Sequence, residues 1–144
     1  MKLNRDTLIG MVHVGALPGT PKGGEPVASI VDRAVREATL LDEAGFDAIL
    51  LENMHDIPYM LRDVGPEIVA GMTATTMAVR QAVQVPIGVQ ILAGANRAAL
   101  AVAHACGGLF IRAEGFAYAT VADEGLLANA DAGPLLRERA RLGA

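Results

Sequence analysis

Short apolar runs alternate with longer segments of helical periodicity along the chain. The runs are rich in β-branched and other aliphatic residues, and the segments between them space their apolar positions three or four residues apart. This pattern predicts four successive strand–helix units. The predicted strands are TLIGMVHV (7–14), DAILLEN (47–53), PIGVQIL (86–92) and GLFIRAE (108–114).

Each predicted helix has a recognisable start. In the first, Ser29 with Asp32 three residues later is a capping signal, and Gly45 is a stop signal. A proline suits the first turn of the second helix, and an asparagine suits the cap of the third. The fourth helix is predicted from Pro134 to Leu142, after a long loop. The four predicted starts are Ser29, Pro66, Asn96 and Pro134.

Apolar strands separated by amphipathic helices indicate a parallel sheet covered by helices. Two architectures fit this arrangement. An open doubly wound sheet would be complete with four or five strands. A (β/α)₈ barrel normally takes about 250 residues, so 144 residues would supply half of it. The periodicity leaves both open.

Polar residues follow the apolar part of every predicted strand. In parallel α/β folds the carboxyl ends of the strands carry the functional site, so we expect these side chains to share one rim. Arg112 could pair there with Glu52 or Glu114. A purely structural set of ion pairs is the alternative. The rim residues are His13, Glu52, Asn53, His55, Asp56, Gln90, Arg112 and Glu114.

Three of these residues are the candidates for chemistry. Glu52 is the expected acid–base group, His13 is the alternative proton carrier, and Arg112 is the expected anchor for an anion. His13, Glu52, His55 and Asp56 could also bind a divalent metal. Because adjacent loop residues seldom chelate one ion together, we expect no metal site. No cofactor is indicated.

Two glycine-containing loops could bind an anion. LAGANR (92–97) places Gly94 next to a helix start at Asn96, which is a generic anion site. GALPGTPKGG (15–24) lacks the Lys-Ser/Thr ending of a phosphate-binding loop, so its signal is weak. We therefore expect a small-molecule anion or sugar phosphate to bind near Arg112 and Asn96.

Charge and composition narrow the remaining possibilities. The net charge is −4 and no basic cluster occurs, which argues against nucleic acid as a partner. No apolar run approaches the roughly 18 residues of a membrane span, and MKLNRDTL lacks the apolar stretch of a signal peptide. A cytoplasmic location is expected. The single cysteine, Cys106, is expected to be a packing residue.

Four long motifs together resemble the BtpA family. They are MVHVGALPGTP, GFDAILLENMHDIPY, VPIGVQILAGANRAALAVA and FIRAEGF followed by VADEG, in the family's order. The resemblance implies a (β/α)₈ TIM barrel of the ribulose-phosphate-binding type. It also implies a site at the barrel mouth that includes His13, Glu52, Asn53, His55, Asp56, Gln90, Asn96, Arg112, Glu114 and Asp123. The family is named for a photosystem I assembly or stability factor, and other members lie in apparent sugar-metabolism contexts.

The resemblance leads to three expectations about organisation and function. Residues 1–144 would form the N-terminal half of the barrel, with the first four units and open edges that make a homo-oligomer the expected state. Gly108, Leu109 and Ala113 depart from the family pattern, which should loosen the fourth strand. The expected function is binding or acting on a small phosphorylated metabolite. The alternatives are a non-catalytic photosystem I assembly factor and a fragment without independent activity.

Overall fold

Strands and helices follow one another in the order that the apolar pattern predicts. The computed structural model describes residues 4–144. Its strands are β1 (Ile9–His13), β2 (Ala48–Glu52), β3 (Ile87–Gln90), β4 (Phe110–Ile111), β5 (Thr120–Ala122) and β6 (Gly125–Leu127). Its helices are α1 (Val27–Glu43), α2 (Pro66–Ala82), α3 (Asn96–Cys106) and α4 (Ala132–Leu142).

The first four strands form one parallel sheet in the order β1-β2-β3-β4. Their register aligns the carboxyl ends, because His13 pairs with Glu52 and Glu52 pairs with Gln90. Val89 pairs with Ile111, so position 112 is the next one in the same row. The predicted parallel α/β architecture is therefore confirmed, and the polar strand ends reach the same edge of the sheet.

Helices α1, α2 and α3 cover one face of this sheet. Alternate strand residues such as Val12, Leu51 and Val89 are fully buried and belong to one apolar cluster with residues of the three helices. Side chains two positions apart share a face of a strand, so this parity defines the helix-covered side. Burying each large aliphatic side chain contributes about 1.5–3 kcal/mol, which makes this layer the main source of stability.

The opposite face of the sheet is formed by the remaining alternate residues of the strands, which include Ala48, Leu50 and Gly88. Ala48 and Leu50 are buried although they lie outside the helix-facing cluster. The Phe110 ring lies directly over Gly88, where an added Cβ would be 2.3 Å from the ring. Only glycine leaves room for this contact. The polar row of His13, Glu52 and Gln90 continues the same face at the carboxyl edge.

Several predicted boundaries need correction. Helix α1 begins at Val27 and its N-cap is Pro26, so Ser29 lies inside the helix and caps nothing. Asn96 is the first residue of α3, and its side chain makes no cap hydrogen bond because it is bonded elsewhere. Strand β4 has only two residues, consistent with the expected loosening.

The segment predicted as a long loop contains the antiparallel hairpin of β5 and β6. The hairpin turns at Asp123 and Glu124, and Leu127 is its buried anchor. Within residues 4–144, no helix is both long and apolar enough to span a membrane.

Candidate functional site

Three polar side chains lie in a row across the carboxyl edge of the sheet. His13, Glu52 and Gln90 occupy matched positions on β1, β2 and β3. His13 Nε2 lies 3.7 Å from Glu52 Oε2, and the His13 side chain is 45% exposed. The His55 ring stands edge-on to the His13 ring, with 6.4 Å between their centroids. The structure thus brings the two predicted proton carriers together at a solvent-accessible position.

Glu52 and Gln90 are neighbouring buried residues, and within residues 4–144 the Gln90 carbonyl oxygen lacks a protein donor. Glu52 is 5% exposed and Gln90 is 1% exposed. Gln90 Oε1 has no hydrogen-bond partner within the described part of the chain. His13 Nε2 lies 3.7 Å from Glu52 Oε2, which is longer than a hydrogen bond. Buried polar groups are normally hydrogen-bonded, so this row has unused acceptor capacity.

Arg112 follows β4 directly, on the same row as Gln90. Its backbone N–H donates to the Val89 carbonyl at 3.2 Å. The predicted ion pair of Arg112 with Glu52 or Glu114 is not formed, since no carboxylate of residues 4–144 lies within 4 Å of the guanidinium. The side chain lines a cavity of about 470 Å³ between the end of β4 and the β5–β6 hairpin. Because Arg112 is exposed, water can solvate its guanidinium in place of a carboxylate partner.

Asn53 and Asp56 form a buried network that joins three loops. Asn53 Nδ2 donates to Asp56 Oδ2 at 2.9 Å, and Asn53 Oδ1 accepts from the Leu92 N–H at 2.7 Å. Asp56 Oδ1 accepts from the Leu17 N–H at 2.8 Å. Burial raises the pKa of Asp56, while the hydrogen bonds from Leu17 and Asn53 oppose that rise. Most of the polar capacity of both residues is used in holding backbone.

Glu114 occupies the helix start that the sequence indicated as an anion site. Its carboxylate accepts a hydrogen bond from the Gly94 N–H, in a turn where Gly94 has a φ of 64°. Burial raises the pKa of Glu114, and the negative charges of Glu124 and Glu52 raise it further. The Gly94 bond and the Arg112 charge act in the opposite direction. A carboxylate of the protein itself therefore takes the place predicted for a bound anion.

Asn96 fastens the segment after β4 to the start of α3. Its Nδ2 donates to the Glu114 carbonyl and to Asp131 Oδ2, each at 2.8 Å, and its Oδ1 accepts from the Glu114 N–H at 3.0 Å. Asp131 also forms an ion pair with Arg62 Nη1 at 3.0 Å. Arg62 Nη2 donates to the Asn129 carbonyl at 2.6 Å.

Sequence reasoning missed Arg62 and Asp131. Asp131 immediately precedes α4, where an acidic residue is a recognisable helix-start signal. Arg62 lies in an irregular loop with a φ of 62°, and its backbone N–H donates to the Ala93 carbonyl at 2.8 Å. No local pattern marks such a position, because its partners are more than 30 residues away.

Asp123 and His55 lie at the periphery of this region. Both side chains are exposed, Asp123 on the hairpin turn and His55 on the loop after β2. The pKa of Tyr59 is raised by burial and then by the charges of Glu52 and Asp123. A cavity of about 690 Å³ lies elsewhere, between α3, β4 and α4, and none of the predicted site residues lines it.

The arrangement suits proton transfer and hydrogen bonding better than metal binding. No group of three or more His, Cys, Asp or Glu side chains within residues 4–144 is placed to hold a metal ion. Glu52 and His13 can exchange a proton with a group placed between them, because both approach the same edge. Arg112 adds a positive charge at the far end of the row.

The comparisons with known proteins agree with the motifs. A model of the BtpA family matches residues 4–144. A protein of Caenorhabditis elegans whose name includes "mitochondrial" is 44% identical, over 98% of this chain and 52% of the relative. A protein of Archaeoglobus fulgidus is 37% identical, over 91% of this chain and 52% of the relative.

A third relative has a functional name. The photosystem I biogenesis protein BtpA of Synechocystis is 34% identical, over 94% of this chain and 47% of the relative. The chain spans about half the length of these relatives. No solved structure matches it. The family model and the relatives cover nearly the whole chain, and the chain therefore belongs to the BtpA family.

Proposed function

We propose that the carboxyl edge of the sheet binds a small metabolite and that Glu52 and His13 move a proton to or from it. The observation that carries the proposal is the 3.7 Å separation between His13 Nε2 and Glu52 Oε2 at matched strand ends. One group is buried and the other is exposed, so a ligand can approach through the His13 side. Proton transfer by positioned side chains is a common contribution to catalysis.

The fold proposal is that residues 1–144 form the first four units of a (β/α)₈ barrel of the ribulose-phosphate-binding type. Three features support it: parallel strands paired in sequence order, helices on one face, and a length about half that of the relatives. In a closed barrel the face with Leu50 and Gly88 would be the interior. The polar row would then line the barrel mouth.

A phosphorylated ligand fits this row in one orientation. Adjacent strands are about 4.8 Å apart, so Glu52 on β2 and Arg112 after β4 are separated by roughly 10 Å across the row. An anionic end would bind at Arg112, whose guanidinium has no carboxylate partner in the described chain. The start of α3 is a poor phosphate site because Glu114 already holds the Gly94 N–H. Arg112 is thus the proposed anchor.

A second candidate function is assembly of a protein complex, as in the name of the Synechocystis relative. The observation in its favour is a pair of exposed apolar side chains, Tyr118 just before the β5–β6 hairpin at 84% and Val121 on β5 at 76%. Exposed apolar patches often mark protein contacts. If this function holds, photosystem I subunits will bind the chain, and replacing Tyr118 and Val121 by serine will abolish the binding. A fragment without independent activity would bind neither metabolite nor protein.

We also propose a cytoplasmic location for the protein. The sequence predicts a cytoplasmic protein, whereas the word "mitochondrial" belongs to the name of the worm relative.

Thermal unfolding with a metabolite panel tests the metabolite-binding function. Free sugars, amino sugars and sugar phosphates would be screened against the chain. Saturation at a hundred times Kd adds about 2.7 kcal/mol of stability, which corresponds to a rise in Tm of about 5 °C or more. Glu52→Gln should reduce the shift, since it removes the acid–base group without breaking a hydrogen bond recorded in the structure. Glu43→Gln changes the same charge on the exposed end of α1 and should leave the shift unchanged. A panel with no shift for the unmodified chain would overturn the proposal.

A further inference from the structure

Four acceptor groups lie on the carboxyl edge of the sheet and on the segment that follows β4. We name Glu52, Gln90, Glu114 and Glu124 the acceptor cluster. Gln90 Oε1 and Glu124 Oε1 are both buried and without a hydrogen-bond partner in residues 4–144. The Glu52 carboxylate lies 3.7 Å from His13 Nε2, beyond hydrogen-bond distance. Two separate parts of the chain, the sheet edge and the β5–β6 hairpin, thus present unpartnered acceptors.

These groups lie close enough to sense one another. Glu52 and Gln90 are register partners on neighbouring parallel strands, which places both side chains on the same face. The charges of Glu124 and Glu52 both act on Glu114, so both carboxylates are within electrostatic range of Glu114. One oxygen of Glu114 is already bonded to the Gly94 N–H, which fixes the carboxyl group in place.

Tyr59 and Asn96 are donors near the cluster that are committed to other acceptors, and His13 is too distant. Arg112 forms no ion pair with Glu52 or Glu114. The Tyr59 hydroxyl donates to the Met54 carbonyl at 2.8 Å. Asn96 uses its amide N–H groups on the Glu114 carbonyl and on Asp131. His13 stays beyond hydrogen-bond distance from Glu52. Buried acceptors without donors are unfavourable, and a bound ligand that supplies the donor removes that cost.

We propose that the acceptor cluster binds the hydrogen-bond-donating end of the ligand, a group with vicinal hydroxyls or an amine, held between Glu52 and Gln90. This inference rests on the proposed metabolite site and orients the ligand within it. A phosphate or carboxylate group cannot occupy the cluster, because it would bring further negative charge to Glu52, Glu114 and Glu124. The anionic end of the ligand, where one exists, faces Arg112.

Gln90 provides a test that leaves the acid–base residues intact. Titration calorimetry would measure ribitol, glucosamine, ribose 5-phosphate and inorganic phosphate against the unmodified chain, Gln90→Leu and the control Glu43→Gln. We expect ribitol and ribose 5-phosphate, or glucosamine, to bind the unmodified chain. Gln90→Leu should weaken that binding by about tenfold, the loss typical of one hydrogen bond to a ligand. Inorganic phosphate should bind Gln90→Leu and the unmodified chain equally.

Ligand-free stability gives a second, independent readout. Leucine has nearly the volume of glutamine and no acceptor, so Gln90→Leu should keep or raise the Tm of the ligand-free chain. A fall in that Tm would show that Gln90 is satisfied by the protein and would overturn the inference. Unchanged affinity of Gln90→Leu for each compound that binds the unmodified chain, whether ribitol, ribose 5-phosphate or glucosamine, would overturn the inference while leaving the metabolite site standing. Failure of every compound to bind the unmodified chain would overturn both.

Discussion

Asn53 and Asp56 carry complementary halves of one buried hydrogen-bond network, which allows their side chains to be exchanged. Asn53 donates one bond to Asp56 and accepts one from the Leu92 N–H, and Asp56 also accepts from the Leu17 N–H. With Asp at 53 and Asn at 56, the amide at 56 would donate to the carboxylate at 53. Both backbone N–H groups would keep an acceptor. All three hydrogen bonds survive, and only the bond between the two side chains reverses its direction.

The single substitutions should each damage this network. Asp56→Asn places two amide N–H groups against each other, at a cost of about 1–3 kcal/mol for the lost bond and the unsatisfied donor. Asn53→Asp places two carboxylates where 2.9 Å now separates donor from acceptor. An uncompensated buried charge costs about 3–5 kcal/mol. The second variant should recover part of its stability in acid, because one shared proton can again bridge the pair.

The double variant Asn53→Asp with Asp56→Asn should lie within about 1 kcal/mol of the unmodified chain, since no bond is lost. Urea unfolding of all four proteins at pH 7 measures the free energy of unfolding for each. A double-mutant coupling of about 3 kcal/mol or more is expected, at the upper end for contacting residues. A double variant as unstable as the sum of the two single losses would refute the exchange and the network from which it is derived.

Three further predictions concern stability and association. Burial raises the pKa of Glu114, so its contribution to stability is complete below its ordinary pKa and is lost as the pH rises through the folded-state value. Urea unfolding would measure the free energy of unfolding of the unmodified chain and of Glu114→Gln at several pH values. The difference between the two should fall as the pH rises above about 4 and then level off. A difference that does not change with pH would contradict this. Arg62→Ala should speed amide hydrogen exchange in residues 113–131 by about tenfold or more, because it removes the contacts of Arg62 with Asp131 and the Asn129 carbonyl. The exchange rates of Arg62→Lys should lie between those of the unmodified chain and Arg62→Ala. Equal exchange in all three proteins would show that Arg62 does not hold this segment. Strands β1 and β4 are sheet edges next to an apolar face, so the 144-residue chain should sediment as an oligomer, and a well-folded monomer at micromolar concentration would count against the half-barrel proposal.

Much of the architecture follows from local pattern. Apolar runs of strand length and helical spacing between them are properties of neighbouring residues, so the order of the four units and the parallel sheet were predictable. Side chains two residues apart on a strand point to the same face of the sheet. It was therefore also predictable that Leu50 shares a face with Glu52, and Gly88 with Gln90. The start of α1 was less accessible, because the capping signal of Ser29 and Asp32 lies inside a helix that begins at Val27.

The connections between loops depended on contacts that no local pattern encodes. Glu114 binds the Gly94 N–H across 20 residues, and Arg62 reaches Asn129 across 67 residues. Such pairs form only after the parallel sheet has brought the carboxyl ends of its strands to one edge. The residue types along the chain could therefore indicate a polar rim. The packing of loops that are far apart in sequence decides which acceptors at the rim have a hydrogen-bond partner. Gln90 Oε1 is one that has none within the described chain.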